Sequence, residues 1–185
     1  DWTVEAFRAY QDRLTPRGIL VVTRWLQTPP SEWVRATALA VEALDREGVE
    51  DPAMHLLAFR GMQTGTLLIS RSPLTEEEVV AVRAFAADRS FDLVAGPGVR
   101  PEEMNRINRL PEPYYERAFA RILTGDRGAF YREYAFAVWP PTDDRPFFFH
   151  FFKWAQTPAI LRTLGQRWQP FGGSGYFVLV ALLAL

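Results

Sequence analysis

Leu14-Thr-Pro-Arg-Gly-Ile-Leu-Val-Val22 is the stretch on which the reading of this chain turns. Pro16-Arg17-Gly18 stops whatever helix comes before it, because proline removes a helix donor and glycine favours a tight reversal. Ile19-Leu-Val-Val-Thr23 then gives a short, unbroken, β-branched run. Such a run suits a strand covered on both faces, as in a parallel sheet. Upstream, Thr3 is a candidate N-cap with Glu5 in the first turn, and Phe7, Tyr10 and Leu14 share one helical face. The segment therefore predicts a helix followed by an interior strand.

Downstream, Gln27-Thr-Pro-Pro30 is a loop and Ser31 a candidate cap. Trp33, Ala36, Thr37, Ala40, Val41 and Leu44 form the apolar stripe of a second helix that Gly48 ends. His55–Arg60 and Thr66–Ser70 read as two strands joined by Gly61-Met-Gln-Thr-Gly65. Thr75-Glu-Glu-Glu78 is a capping box, with Val79, Val82, Phe85 and Ala86 behind it as a buried face. Phe91–Val94 is a further short strand, Pro97–Arg109 a loop, and Tyr115, Ala118, Phe119 and Ile122 mark a helix ending near Gly125. Helix, buried strand, helix and hairpin in this order predict one end of an α/β sheet closed by an antiparallel pair.

Composition narrows the chemistry. The formal net charge is −1, so no global field recruits nucleic acid. No cysteine is present, which removes disulfides, thiolate metal sites and cysteine nucleophiles together. With only His55 and His150, a histidine metal site is not expected. Of 21 basic residues only Lys153 is a lysine. The arginines alternate with acids along most of the chain, a pattern of GC-rich bacterial coding rather than of a binding surface.

The C-terminal part has a different character. Pro140-Pro-Thr-Asp-Asp-Arg-Pro146 is a polar turn, and Phe147-Phe-Phe-His-Phe-Phe-Lys-Trp154 follows directly. Residues 157–174 read as an amphipathic juxtamembrane helix and linker, with Ile160, Leu161, Leu164 and Trp168 on one helical face and a Gly172-Gly-Ser-Gly175 break; the helix lies either along the inner leaflet or on the domain as an ordinary surface helix. The run 175–185 carries no charge and is about half of the roughly 20 residues that span a bilayer, so it reads as a truncated transmembrane helix. Lys153, Arg162 and Arg167 flank it without an acid, which predicts that this side faces the cytoplasm.

Two segments carry a family resemblance. The helix at 3–7 followed by Leu14–Val22, and the Thr142-Asp-Asp-Arg-Pro146 turn ahead of an apolar run, resemble the late part of class I S-adenosylmethionine-dependent transferase domains. The similarity is to the spermidine synthase-like domains fused to bacterial membrane segments. Residues 19–22 then match the fifth strand and the hairpin the sixth and seventh. The resemblance implies the C-terminal part of a Rossmann-like methyltransferase-fold sheet over residues 1–156, with 75–139 a family-specific insertion. It implies a parent protein that uses S-adenosylmethionine or its decarboxylated form on a small-molecule acceptor. The glycine-rich loop and the catalytic carboxylate of that fold would precede Asp1. This fragment would then bind no cofactor, would be inactive alone, and would have the missing N-terminal half and the lipid bilayer of an inner membrane as partners. A non-catalytic regulatory or scaffolding domain of a polytopic membrane protein is the alternative.

Candidate sites follow. Asp143, Asp144 and Arg145 are either an acidic rim that receives an amine, with Arg145 as counter-charge, or a structural turn; adjacent carboxylates on an extended chain point apart and make a poor dyad. His150 among phenylalanines is either a ligand or an interfacial residue with a polar tip. Phe147–Trp154 is core, membrane interface or partner surface. Gln63-Thr-Gly-Thr66 is a hairpin turn or a ligand loop, and Asn105, Arg106, Asn108 and Arg109 are candidates for lining a pocket. Gly96-Pro97-Gly98 precedes no helix and is not a nucleotide loop.

Overall fold

The computed structural model describes residues 1–153. The elements in chain order are α1 (Val4–Arg13), β1 (Ile19–Trp25), α2 (Glu32–Arg46), β2 (Leu56–Arg60), β3 (Thr64–Ser70), α3 (Glu76–Asp88), β4 (Asp92–Ala95), α4 (Tyr114–Thr124) and α5 (Arg127–Glu133). Single 3₁₀ turns at Pro52–His55 and Pro101–Glu103 connect them. The four strands form one sheet in the order β1-β3-β2-β4, and every neighbouring pair is antiparallel. The fold is α/β.

Local chemistry sets the helix ends. Thr3 caps α1, its hydroxyl accepting the Ala6 N–H at 3.2 Å. Thr75 and Glu78 close both halves of the capping box of α3. Ser31 starts α2 without capping it, because its hydroxyl donates to the Gln27 side-chain oxygen instead.

The strand pattern departs from expectation at β1. It pairs only with β3, antiparallel, and forms the border of the sheet among the described residues. It is not covered on both faces: Val22 is buried beneath α2, while Val21 and Trp25 are 58% and 62% exposed. A β-branched run has the same composition whether one face or two is covered, so composition misplaces it. β1 and β2 each pair antiparallel with β3 and so run parallel to each other. The connection between them is α2, which makes β1–α2–β2 a crossover unit with β3 inserted between its strands.

The main core lies on the Val22 face of the sheet. Val4 and Phe7 of α1, the length of α2, and Tyr115, Phe119 and Ile122 of α4 bury together there. Trp33 is at its centre, its ring 5.3 Å from that of Tyr115 and 4.7 Å from that of Phe119. The opposite face is covered only in part. α3 lays Val79 and Ala86 over Leu57, Phe59 and Leu93, and leaves Phe85 40% exposed. Residues 75–139 are built into this body: β4 joins the sheet beside β2, and α4 completes the core over α2. α5 is an added helix that the sequence reading did not resolve, and the expected helix over 157–168 and the apolar run 175–185 lie outside the described residues. No helix among the described residues is long and apolar enough to cross a membrane.

Candidate functional site

At the carboxyl end of β1 the start of α1 meets the aromatic run. The Arg24 guanidinium lies 5.0 Å from the Trp2 ring centroid, 5.8 Å from that of Phe148 and 5.2 Å from that of Phe149. Trp2 and Phe148 stack at 4.6 Å, and Arg24 pairs with Glu32 in the first turn of α2. Cation–π contacts and the ion pair together hold the side chain rigidly. Trp2 thereby places the start of α1 over the end of β1.

The turn at 141–146 hangs on that same helix start. Val4 N–H donates to the Pro141 carbonyl at 2.9 Å, and Asp143 N–H donates to a Glu5 carboxylate oxygen at 3.0 Å. Glu5's own backbone N–H, with that of Asp143 and the Arg46 guanidinium, holds its carboxyl below the ordinary carboxylate value. Arg145 N–H closes the turn on Thr142 O at 2.8 Å. The side chains of Asp143, Asp144 and Arg145 are exposed and make no hydrogen bond or ion pair among the described residues. The turn is thus fixed through its backbone, and its charged groups are left at the surface.

Arg35 secures the segment from behind. It is 4% exposed and sits on α2. Its Nε donates to Trp139 O at 3.1 Å, and its Nη1 to the carbonyls of Phe147, Phe148 and His150 at 2.9, 2.7 and 2.7 Å. Burial lowers its pKa to about 10, yet it remains a cation at neutral pH. Among the described residues no carboxylate bonds to it; four carbonyl dipoles supply the negative ends. Sequence reasoning missed Arg35 because it falls beside the apolar stripe of α2 and looks like an exposed position.

The aromatic run divides by burial. Phe148, Phe151 and Phe152 belong to the interior, whereas Phe147 and Phe149 are 68% and 51% exposed. His150 is half-buried, and its carbonyl and N–H tie it to Arg35 and to Phe147. The second cluster forms elsewhere. Arg60, at the end of β2, bonds to Asn105 Oδ1, to Asn108 O and to Glu116, and is buried. Asp92 accepts the N–H groups of Arg106, Ile107 and Asn108 at 2.6 to 2.9 Å. Burial pushes the Asp92 carboxyl up, and the three N–H bonds outweigh it and hold it below its ordinary value. Asn105 and Asn108 therefore fasten the 104–110 loop to the sheet. Gly65, in the hairpin segment 63–66, lies within β3, where Trp33 approaches it closely.

Gly96 and Gly98 have positive φ, but the chain after them enters only the short turn Pro101–Glu103, which offers no helix N-terminus to a phosphate or carboxylate. Among the described residues no three His, Asp or Glu side chains gather as a metal site. Compared with known protein families, with curated proteins and with solved structures, the chain matches none.

Proposed function

We propose that residues 1–156 are the C-terminal portion of a spermidine synthase-like, S-adenosylmethionine-family transferase domain. The observation that carries this reading is the crossover β1–α2–β2 with the hairpin strand β3 set between its two parallel strands, at the border of an α/β sheet. That is the arrangement expected if Ile19–Trp25 and the hairpin are the last strands of a Rossmann-like sheet. Asp143 and Asp144, exposed on a turn held through its backbone, agree with a role as an acidic wall for a cationic acceptor, with Arg145 keeping the local charge near balance. The cofactor would be held by the other half of the domain, and the chain beyond residue 156 would anchor it at the cytoplasmic face of a bacterial inner membrane.

The test is titration calorimetry with S-adenosylmethionine and its decarboxylated form on the native polypeptide that includes the sequence upstream of Asp1. Saturable binding of either, and transfer to an amine that weakens on Asp143→Asn or Asp144→Asn, support the transferase reading. No binding of either nucleoside leaves the non-catalytic scaffold of the same ancestry.

A further inference from the structure

The aromatic side chains exposed around Arg35 are not required by the fold. Arg35 gathers the carbonyls of Trp139, Phe147, Phe148 and His150 on one guanidinium, so these residues sit side by side. Phe148 is buried and stacks on Trp2, whereas Phe147 and Phe149 on either side of it are exposed. Trp139 is 45% exposed as well. The Arg35 bonds go to backbone carbonyls, which any residue supplies, so serine at 139 or 147 would leave them intact. Cations stand at the same surface. Lys153 Nζ lies 5.2 Å from the Trp139 ring centroid, and the Arg24 guanidinium is equally close to that of Phe149.

The chain that follows identifies what this surface meets. Residues 154–174 carry Arg162 and Arg167 and no acid, and they lead from Lys153 to the uncharged run 175–185. A basic flank is drawn to anionic headgroups, and large aromatics settle at the boundary between headgroup and acyl chain. A short tether raises the effective concentration of a second contact to the order of millimolar, so a few weak aromatic contacts suffice. Asp143 and Asp144 precede the patch and oppose anionic lipid, so insertion of the aromatics rather than net charge leads the contact. A second copy fits less well. Aromatic side chains bury about 150–250 Å² each when fully covered, and these three are already near half covered. They fall short of the about 800 Å² per partner of a stable interface.

From this we infer that Trp139, Phe147 and Phe149 seat the domain on the headgroup region of a lipid bilayer. The inference rests on the proposed anchoring of the chain beyond residue 156 and on no transfer chemistry. It fixes an orientation: the segment held by Arg35 faces the membrane, and α3, on the other face of the sheet, stays in water.

The chain has no cysteine, so a single spin label can be placed on the full chain at either surface. Phe147→Cys marks the patch, and Val80→Cys marks a well-exposed residue of α3. Each labelled chain is mixed with vesicles of phosphatidylethanolamine and phosphatidylglycerol and floated on a density gradient. The chain is expected to float, with the label at 147 shielded from a water-soluble nickel chelate and reached by dissolved oxygen, and the label at 80 open to the chelate. Adding Trp139→Ser and Phe149→Ser to the Phe147→Cys chain is expected to abolish the shielding while the chain still floats. Loss of its thermal transition without lipid would instead make these aromatics structural and overturn the inference. Flotation with both labels equally open to the chelate overturns the inference and leaves the anchor standing; failure to float removes both. Shielding of 147 without lipid also overturns it, by cover from the chain itself or, where the shielding grows with concentration, from a second copy. Binding of an S-adenosyl compound is read separately by calorimetry, so failure of the transferase reading and failure of this inference are distinct.

Discussion

A Cβ placed on Gly65 would stand 2.5 Å from Cδ2 of Trp33, well inside contact distance. The indole lies flat against the β3 backbone, and only glycine leaves room for it. Trp33 is fully buried against Tyr115 and Phe119, so it has nowhere to retreat. Gly65→Ala is therefore expected to cost about 1–3 kcal/mol, as overpacked cores do. Urea unfolding measures it, and the loss should shrink when Trp33→Leu is added, since the double variant removes the clashing ring.

Arg35 offers a separate test. Its guanidinium donates to four carbonyls, of which that of Phe147 also accepts the His150 N–H. Arg35→Lys keeps the charge but cannot span Trp139 and the 147–150 segment together, and a loss of about 2–3 kcal/mol is expected. Exchange of the amides around 139–150 should rise before that of α2, because the substitution releases the turn rather than the helix.

Asp92 predicts an acid limb in the stability curve. Its folded pKa is depressed below the ordinary 3.8. Its contribution is then complete above that value and is lost as pH falls through the lower, folded one. Asp92→Asn should destabilise the chain by about 1–3 kcal/mol at neutral pH, since three N–H groups lose their charged acceptor. It should also flatten the fall in stability below about pH 4. An unaltered acid limb in the variant would assign that limb to other carboxylates.

Asp143 and Asp144 should behave in the opposite way. Both side chains are exposed and make no bond, so Asp143→Asn and Asp144→Asn are expected to change stability by less than about 0.5 kcal/mol. Thermal unfolding checks this. A large loss would mean that the carboxylates hold the turn, and would remove them from consideration as an acceptor rim.

Much of the local structure was legible in the sequence because its cause is local. Thr3, the Thr75/Glu78 box and the Gly61–Thr64 reversal act within a few residues, and each is where its residue types require. The border position of β1 was not legible, because Ile-Leu-Val-Val is apolar on both faces whatever lies beside it. Nor was the Arg60–Asn105–Asp92 cluster, whose members are separated by 13 or more residues and show no periodicity. At the candidate rim, the Thr-Asp-Asp-Arg-Pro turn could be read from sequence. Its attachment could not, because Glu5 reaches the turn, and Arg35 the segment just after it, from more than 100 residues away.

All of the functional reading depends on β1 being the open border of an α/β sheet. Residue-resolved amide exchange on the 185-residue chain tests this most directly. The account predicts alternation, with Leu20, Val22 and Arg24 protected and Ile19, Val21, Thr23 and Trp25 exchanging freely. Uniform protection of all seven at every protein concentration would mean that both edges of β1 are already paired within this chain, and would contradict it.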